Sequence, residues 1–166
     1  MPITFTEADQ AAWYASLATM YGTAAALITS PSGDVLLVKP NYRAPWSLPG
    51  GVLEDGEPPH VGCAREVLEE LGLTVALGPL LAVAWIAPEG RRPKPMIAFI
   101  FDGGVLADPS GIVLQEAELD EFRFVPPSAV AGHLPPHMAA RVDAALRARG
   151  NGGAMYLSGA AAAHSL

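Results

Sequence analysis

Apolar residues fall into short runs broken by proline, glycine and charge, and the runs differ in period. Residues 7–20 repeat Trp13, Leu17 and Met20 at helical spacing, which predicts a helix that packs on the domain or on a second subunit. Thr6 stands as its N-cap, and Thr6 with Asp9 resembles a capping box. Residues 23–30 and 34–39 are apolar and flank Pro31-Ser32-Gly33, the pattern of strand, tight turn and strand. Residues 57–71 read as a helix with Pro58 and Pro59 in its first turn, where missing N–H groups cost least. Gly72 closes it, and Val61, Ala64, Leu68 and Leu71 form the face expected to bury.

Residues 80–86 and 95–102 are strand-like and flank a polar loop at 87–93. Residues 121–125 form another short strand, and an alanine-rich helix spans 137–149. Residues 150–166, rich in glycine and alanine, read as a flexible tail or arm. No internal repeat is present. Strands interleaved with helices predict one α/β domain over residues 1–149, with residues 1–20 as a helical extension.

Composition narrows the class. Of 166 residues, 51% are hydrophobic and 16% charged, which is globular composition. No apolar run reaches the roughly 18 residues that span a bilayer. The first residues lack a basic and an apolar region, so no signal peptide is expected. One cysteine, Cys63, excludes an intrachain disulfide and fits the cytoplasm. It is expected to be a small core residue rather than a nucleophile. The net charge of −7 argues against a nucleic-acid polymer as partner. A negative chain still handles an anionic substrate if a cation lies between them.

The chemistry concentrates at residues 51–73. Glu66, Glu69 and Glu70 stand at i, i+3 and i+4, which a helix stacks on one face. Like charges so placed cost about 0.2–0.5 kcal/mol per pair. They also lie near the helix C-terminus, where the macrodipole disfavours anions. A hard divalent cation removes the objection, since Mg²⁺ prefers oxygen ligands and keeps waters for a phosphate substrate. Arg65 and Glu57 remain to pair and pin the intervening loop onto the helix.

Gly51, five residues, Glu57, seven residues, then Arg65-Glu66-Val67-Leu68-Glu69-Glu70-Leu71-Gly72-Leu73 matches the Nudix box at every defined position. Seven specified residues at about 7% usage each would coincide by chance on the order of 10⁻⁸ per register. Trp46-Ser47-Leu48-Pro49-Gly50 also resembles the family's lead-in, and the resemblance covers roughly residues 20–135. It implies an α/β/α sandwich with a mixed central sheet. It implies that Glu66, Glu69 and Glu70 are catalytic metal-binding glutamates, with a carbonyl of Gly50 or Gly51 completing the shell. Arg65 and Glu57 would be the structural salt bridge. A further carboxylate from a later loop would serve as ligand or base; Glu116, Glu118 and Glu121 are the candidates, and Glu121 is favoured.

The implied activity is Mg²⁺- or Mn²⁺-dependent hydrolysis of a diphosphate linkage in a small nucleotide-type substrate. The alternative is a catalytically silent nucleotide-binding module, against which the complete set of glutamates counts. An isomerase of the same fold, which needs a cysteine in another context, is ranked lower still. Lys39, Arg43 and Trp46 precede the box and are candidate substrate-binding residues; Trp46 either stacks on a base or closes the core. Arg91, Arg92 and Lys94 either meet terminal phosphates or keep their loop solvated. The N-terminal helix and sheet edges leave a homodimer open.

Overall fold

A computed structural model describes residues 6–159 and 163–165. Eight strands form one sheet: β1 (Tyr21–Thr29), β2 (Val35–Pro40), β3 (Gly50–Val52), β4 (Leu80–Ile86), β5 (Met96–Val105), β6 (Leu119–Val125), β7 (Met155–Ser158) and β8 (Ala163–Ser165). Their order is β6-β2-β1-β5-β4-β7-β8, with β3 added to β1. β1/β5 and β4/β7 run parallel and the other pairs antiparallel, so the sheet is mixed.

Side-chain alternation divides the interior in two. Leu27, Val35, Leu37, Ala82, Ala84 and Ile100 face helix α3 (Pro136–Asn151). Ala24, Ala26, Ile28, Leu36 and Val38 face helix α2 (Pro59–Leu71). A strand buried on both faces needs a continuous apolar run, and Val35 to Val38 is one. Each fully buried Leu, Ile or Val contributes about 1.5–3 kcal/mol, so the two layers hold the helices firmly.

Three expectations change. Helix α1 (Glu7–Ser16) has the capping box, with Thr6 Oγ1 accepting from Asp9 N–H at 3.2 Å, but buries no residue on the domain. The helix stops at Ser16, so Leu17 and Met20 leave its stripe, and Trp13 and Tyr14 stay exposed.

On α2 the buried face is Cys63, Val67, Glu70 and Leu71, while Val61 and Leu68 are exposed. The helix is turned so that Glu66 and Glu70 meet β3, and the i, i+4, i+8 row from Cys63 takes the core. Burial pushes the Cys63 thiol up to about 12, as suits an inert core residue.

Residues 150–166 are not all a tail. Gly152, in the left-handed conformation, ends α3, and Met155–Ser158 pairs in parallel with β4 from Ala82↔Met155 to Trp85↔Ser158. The strand covers an edge that β4 would otherwise expose, and buries Leu157. Four residues are too few to carry a period in the sequence.

The end of α3 is tied to the sheet by Arg149. Its Nη2 donates to Asp102 Oδ1 at 2.6 Å and to the Leu27 carbonyl, and its Nη1 donates to Thr29 Oγ1 at 3.1 Å. Arg149→Ala leaves the part-buried Asp102 carboxylate with the Gly104 N–H alone, and is expected to cost about 2–3 kcal/mol. A urea midpoint equal to that of the wild type would refute the tie.

Candidate active site

Strand β3 positions the site by pairing antiparallel with β1, Ala24↔Gly51 and Ala25↔Gly50, so a short glycine strand lies flat on the sheet. Bulk is excluded there. A Cβ on Gly51 would lie about 2.5 Å from both carboxylate oxygens of Glu66. The chain then loops out and returns into α2. Arg65 closes the loop: Nε donates to Glu57 Oε1 at 2.9 Å, and Nη2 donates to Glu57 Oε2 at 3.0 Å and to the Val52 carbonyl at 3.3 Å. Glu57 Oε2 also accepts from Glu54 N–H at 3.0 Å. The Arg65 bonds, then the Glu54 N–H, hold the Glu57 carboxyl down at about 2. A forked guanidinium suits this bidentate role.

Arg65 Nη1 reaches the other way, to Glu66 Oε1 and Glu69 Oε2, both at 3.0 Å. Glu70 lies deeper, only 6% exposed, and its Oε2 accepts from Gly50 N–H at 2.8 Å. Burial first, then the charges of Glu66 and Glu118, push its carboxyl up to about 7, against the Gly50 hydrogen bond and the charge of Arg43. Burial also raises Glu66, opposed by Arg65. Crowded, partly desolvated carboxylates with one guanidinium among them form an electrostatically unsatisfied cluster.

The donor set is all oxygen, which suits a hard divalent cation. Among the described residues, no three His, Cys, Asp or Glu side chains are already gathered as a metal cage. Arg65 Nη1 instead occupies one oxygen each of Glu66 and Glu69. The chemistry of the three carboxylates suits a hard cation, while their positions here do not form a cage.

Beside the cluster opens a cleft of about 310 Å³ between β1, β5, α3 and the loop after β2. Gly50, Gly51 and Arg43 line it near the glutamates, while Ala98, Ile100, Leu134 and Met138 give it apolar walls.

A family model for the NUDIX domain matches residues 20–148. The chain belongs to the Nudix family.

Particular Nudix relatives extend this. The chain is 41% identical over 59 residues to a MutT-like protein of Streptomyces ambofaciens, covering 36% of this chain and 38% of that one. It is 37% identical over 68 residues to a Bacillus subtilis protein provisionally named an 8-oxo-dGTP diphosphatase, covering 41% of this chain and 42% of that one. These matches span only about two fifths of the curated relatives' length. The crystal structure of a MutT protein from Methanosarcina mazei superposes with a TM-score of 0.67 at 30% identity, covering 81% of this chain and 99% of that one. The α/β/α sandwich is therefore the Nudix fold.

Around this Nudix site the sequence candidates separate. Arg43 lines the cleft and acts electrostatically on Glu70. Lys39 does not line it: Nζ donates to the carbonyls of Pro40 and Arg43, both at 3.0 Å, and so shapes the loop that carries Arg43. Trp46 is outside the lining too. It packs on the α3-side core, with the Arg123 guanidinium 5.0 Å from its ring and His133 edge-on at 5.7 Å.

Glu121, the favoured candidate base, pairs with Arg123. Its Oε1 accepts from Arg123 Nε at 2.5 Å. Glu118 acts on both Glu66 and Glu70. The preceding loop is moored to α2 by Val113 N–H on the Leu71 carbonyl at 2.9 Å and Gln115 N–H on the Glu70 carbonyl at 3.0 Å. Only that tertiary tie distinguishes Glu118 from its neighbours. Arg141, also in the cleft lining, has no singular sequence signal beyond sharing a helix face with Met138 and Val142 at i+3 and i+4 spacing.

Proposed function

We propose that this protein is a divalent-cation-dependent hydrolase that cleaves a diphosphate linkage in a nucleoside diphosphate derivative or a nucleoside triphosphate. The observation that carries it is the position of Glu66, Glu69 and buried Glu70 beside the glycine strand that borders the cleft. Bound Mg²⁺ or Mn²⁺ would supply Lewis acidity toward the diphosphate oxygens and the attacking water.

Everything else falls to the chain. Glu66, Glu69 and Glu70, with a carbonyl of Gly50 or Gly51, would hold the cation. Arg43 offers a guanidinium to the diphosphate at the cleft mouth. Glu118, brought in from a different element, accepts the proton of the attacking water. Water oxygen bonds to one phosphorus, the bridging P–O bond breaks, and two phosphorylated products leave. Glu57 and Arg65 keep loop and helix in register and touch no reacting atom. A single buried free thiol suits a reducing cytoplasm.

The test is Mg²⁺-dependent turnover of a panel: dNTPs, 8-oxo-dGTP, ADP-ribose, NADH, nucleotide sugars and diadenosine polyphosphates. The Glu69→Gln, Glu70→Gln double variant runs beside it. The expected result is cleavage of at least one compound by the wild type and loss of that activity in the variant. If nothing is cleaved while a nucleotide still raises the melting temperature, the protein is a binding module and the catalytic roles are wrong.

A further inference from the structure

The cleft holds a second guanidinium, Arg141 of α3, which the proposed hydrolysis does not use. Among the described residues no hydrogen bond or ion pair reaches its side chain. Burial depresses its pKa, and so does the neighbouring charge of Arg92, with no acid opposing either. A part-buried guanidinium with no protein acceptor stands ready for one from a ligand.

Arg141 is also separate from the metal end. Arg43 is the cation that acts on Glu70. The electrostatic neighbour of Arg141, Arg92, donates to the Ile86 and Lys94 carbonyls at the end of β5 where Ile86 pairs with Met96, whereas Gly50 pairs with Ala25 opposite Ile100. The uncharged lining is mostly apolar, including Met96, Ala98, Ile100, Leu134 and Met138, with Thr23, Tyr42 and Ser47 as its polar members. A ligand held at both ends therefore has an anionic end by Arg43, an apolar body, and an acceptor toward Arg141.

Two acceptors are conceivable, a second anion or a neutral carbonyl edge. A second anion would have to be dehydrated against apolar walls. Arg92 is poorly placed to share that load, since its donors go to the carbonyls of Ile86, Ala87 and Lys94 at 2.7 to 3.3 Å. The flat faces of a base suit methionine and leucine walls, and a base edge needs no such dehydration. A guanidinium only donates. It finds an acceptor at O6 of guanine or O4 of uracil, and at the same edge positions of adenine and cytosine it meets an amino group donor to donor.

We propose that Arg141 is a specificity-determining residue that makes the cleft prefer nucleotides whose base presents an exocyclic oxygen at that edge, O6 of guanine or O4 of uracil, over adenine and cytosine, which present an amino group there. This rests on the nucleotide reading of the site, but not on hydrolysis.

The test is calorimetric binding of GDP, UDP, ADP and CDP, with Mg²⁺, to the wild type and to Arg141→Met. Melting temperature verifies folding, and Arg141→Gln takes over the comparison if Arg141→Met does not fold. The wild type is expected to bind GDP and UDP roughly tenfold tighter than ADP and CDP. Arg141→Met is expected to bring the four within about twofold, chiefly by weakening GDP and UDP. Equal wild-type affinities overturn the proposal, as does a ratio that survives the substitution. An equal loss on all four also overturns it, because Arg141 would then meet phosphate. Binding with the expected preference but no turnover of the wider panel removes the hydrolase reading and leaves this one standing. Turnover of the panel with no base preference does the reverse.

Discussion

In metal-free buffer at pH 8, Glu70→Gln is expected to melt above the wild type while its Mg²⁺-dependent turnover falls by about a hundred- to a thousandfold. Both effects come from one buried carboxylate. Its folded value of about 7 lies above the ordinary 4.5, chiefly because burial penalises the charge. A raised folded value means that the native state holds the proton more tightly than the unfolded chain. The stabilising contribution is therefore fully present below pH 4.5 and lost as pH rises through 7. At pH 8 the metal-free wild type bears the whole loss, about 3 kcal/mol at most. Glutamine carries no charge, and its Oε1 can still accept from Gly50 N–H. The gap between variant and wild type should thus open between pH 4.5 and 7. Mg²⁺ should close it by stabilising only the wild type. Calorimetric melting from pH 4.5 to 8, with and without Mg²⁺, measures this. A variant that melts below the wild type at pH 8 in chelator would show that Glu70 is held by its hydrogen bonds and not strained by burial.

Gly50→Ala is expected to be more damaging to the fold than any single loss among the glutamates. Gly50 has φ of +142°, which an L side chain rarely adopts. A Cβ there would lie 2.5 Å from Ala25 Cα and closer still to the Ala24 carbonyl. Backbone neighbours cannot rotate away, so β3 would have to lift from β1. That also withdraws Gly50 N–H from Glu70 and moves the cleft wall. The expected cost is about 3 kcal/mol or more, with loss of turnover even where the variant still folds. Urea denaturation and the same nucleotide panel report the two separately. A stable, fully active Gly50→Ala protein would mean that β3 is free to shift, and that the site does not depend on its close fit.

Strong local chemistry was readable from the chain. Proline in the first turn and glycine just past the last bound α2 at Pro59 and Gly72. β4, Leu80–Ile86, shows its seven residues as a bounded apolar run. Glu57, Arg65 and the three glutamates lie within a single strand-loop-helix unit, where sequence spacing translates directly into spatial spacing. Residues that join the site from elsewhere carry no such signal. Glu116, Glu118 and Glu121 are alike as a sequence, and Glu118 approaches Glu70 only because Gln115 hydrogen-bonds to the carbonyl of α2.

The sequence by itself determined the family, the mixed α/β architecture and the carboxylate cluster, because each depends on periods and spacings within about twenty residues. The tertiary structure decided the rotation of α2, which buries Glu70 and exposes Val61 and Leu68. It also turned residues 155–158 into a strand, sent Trp46 to the core, held Lys39 to its own loop and brought Arg141 into the cleft. Those outcomes depend on which distant surfaces meet. Packing, the burial of charge and the pairing of an otherwise open sheet edge set them, and no local period encodes them.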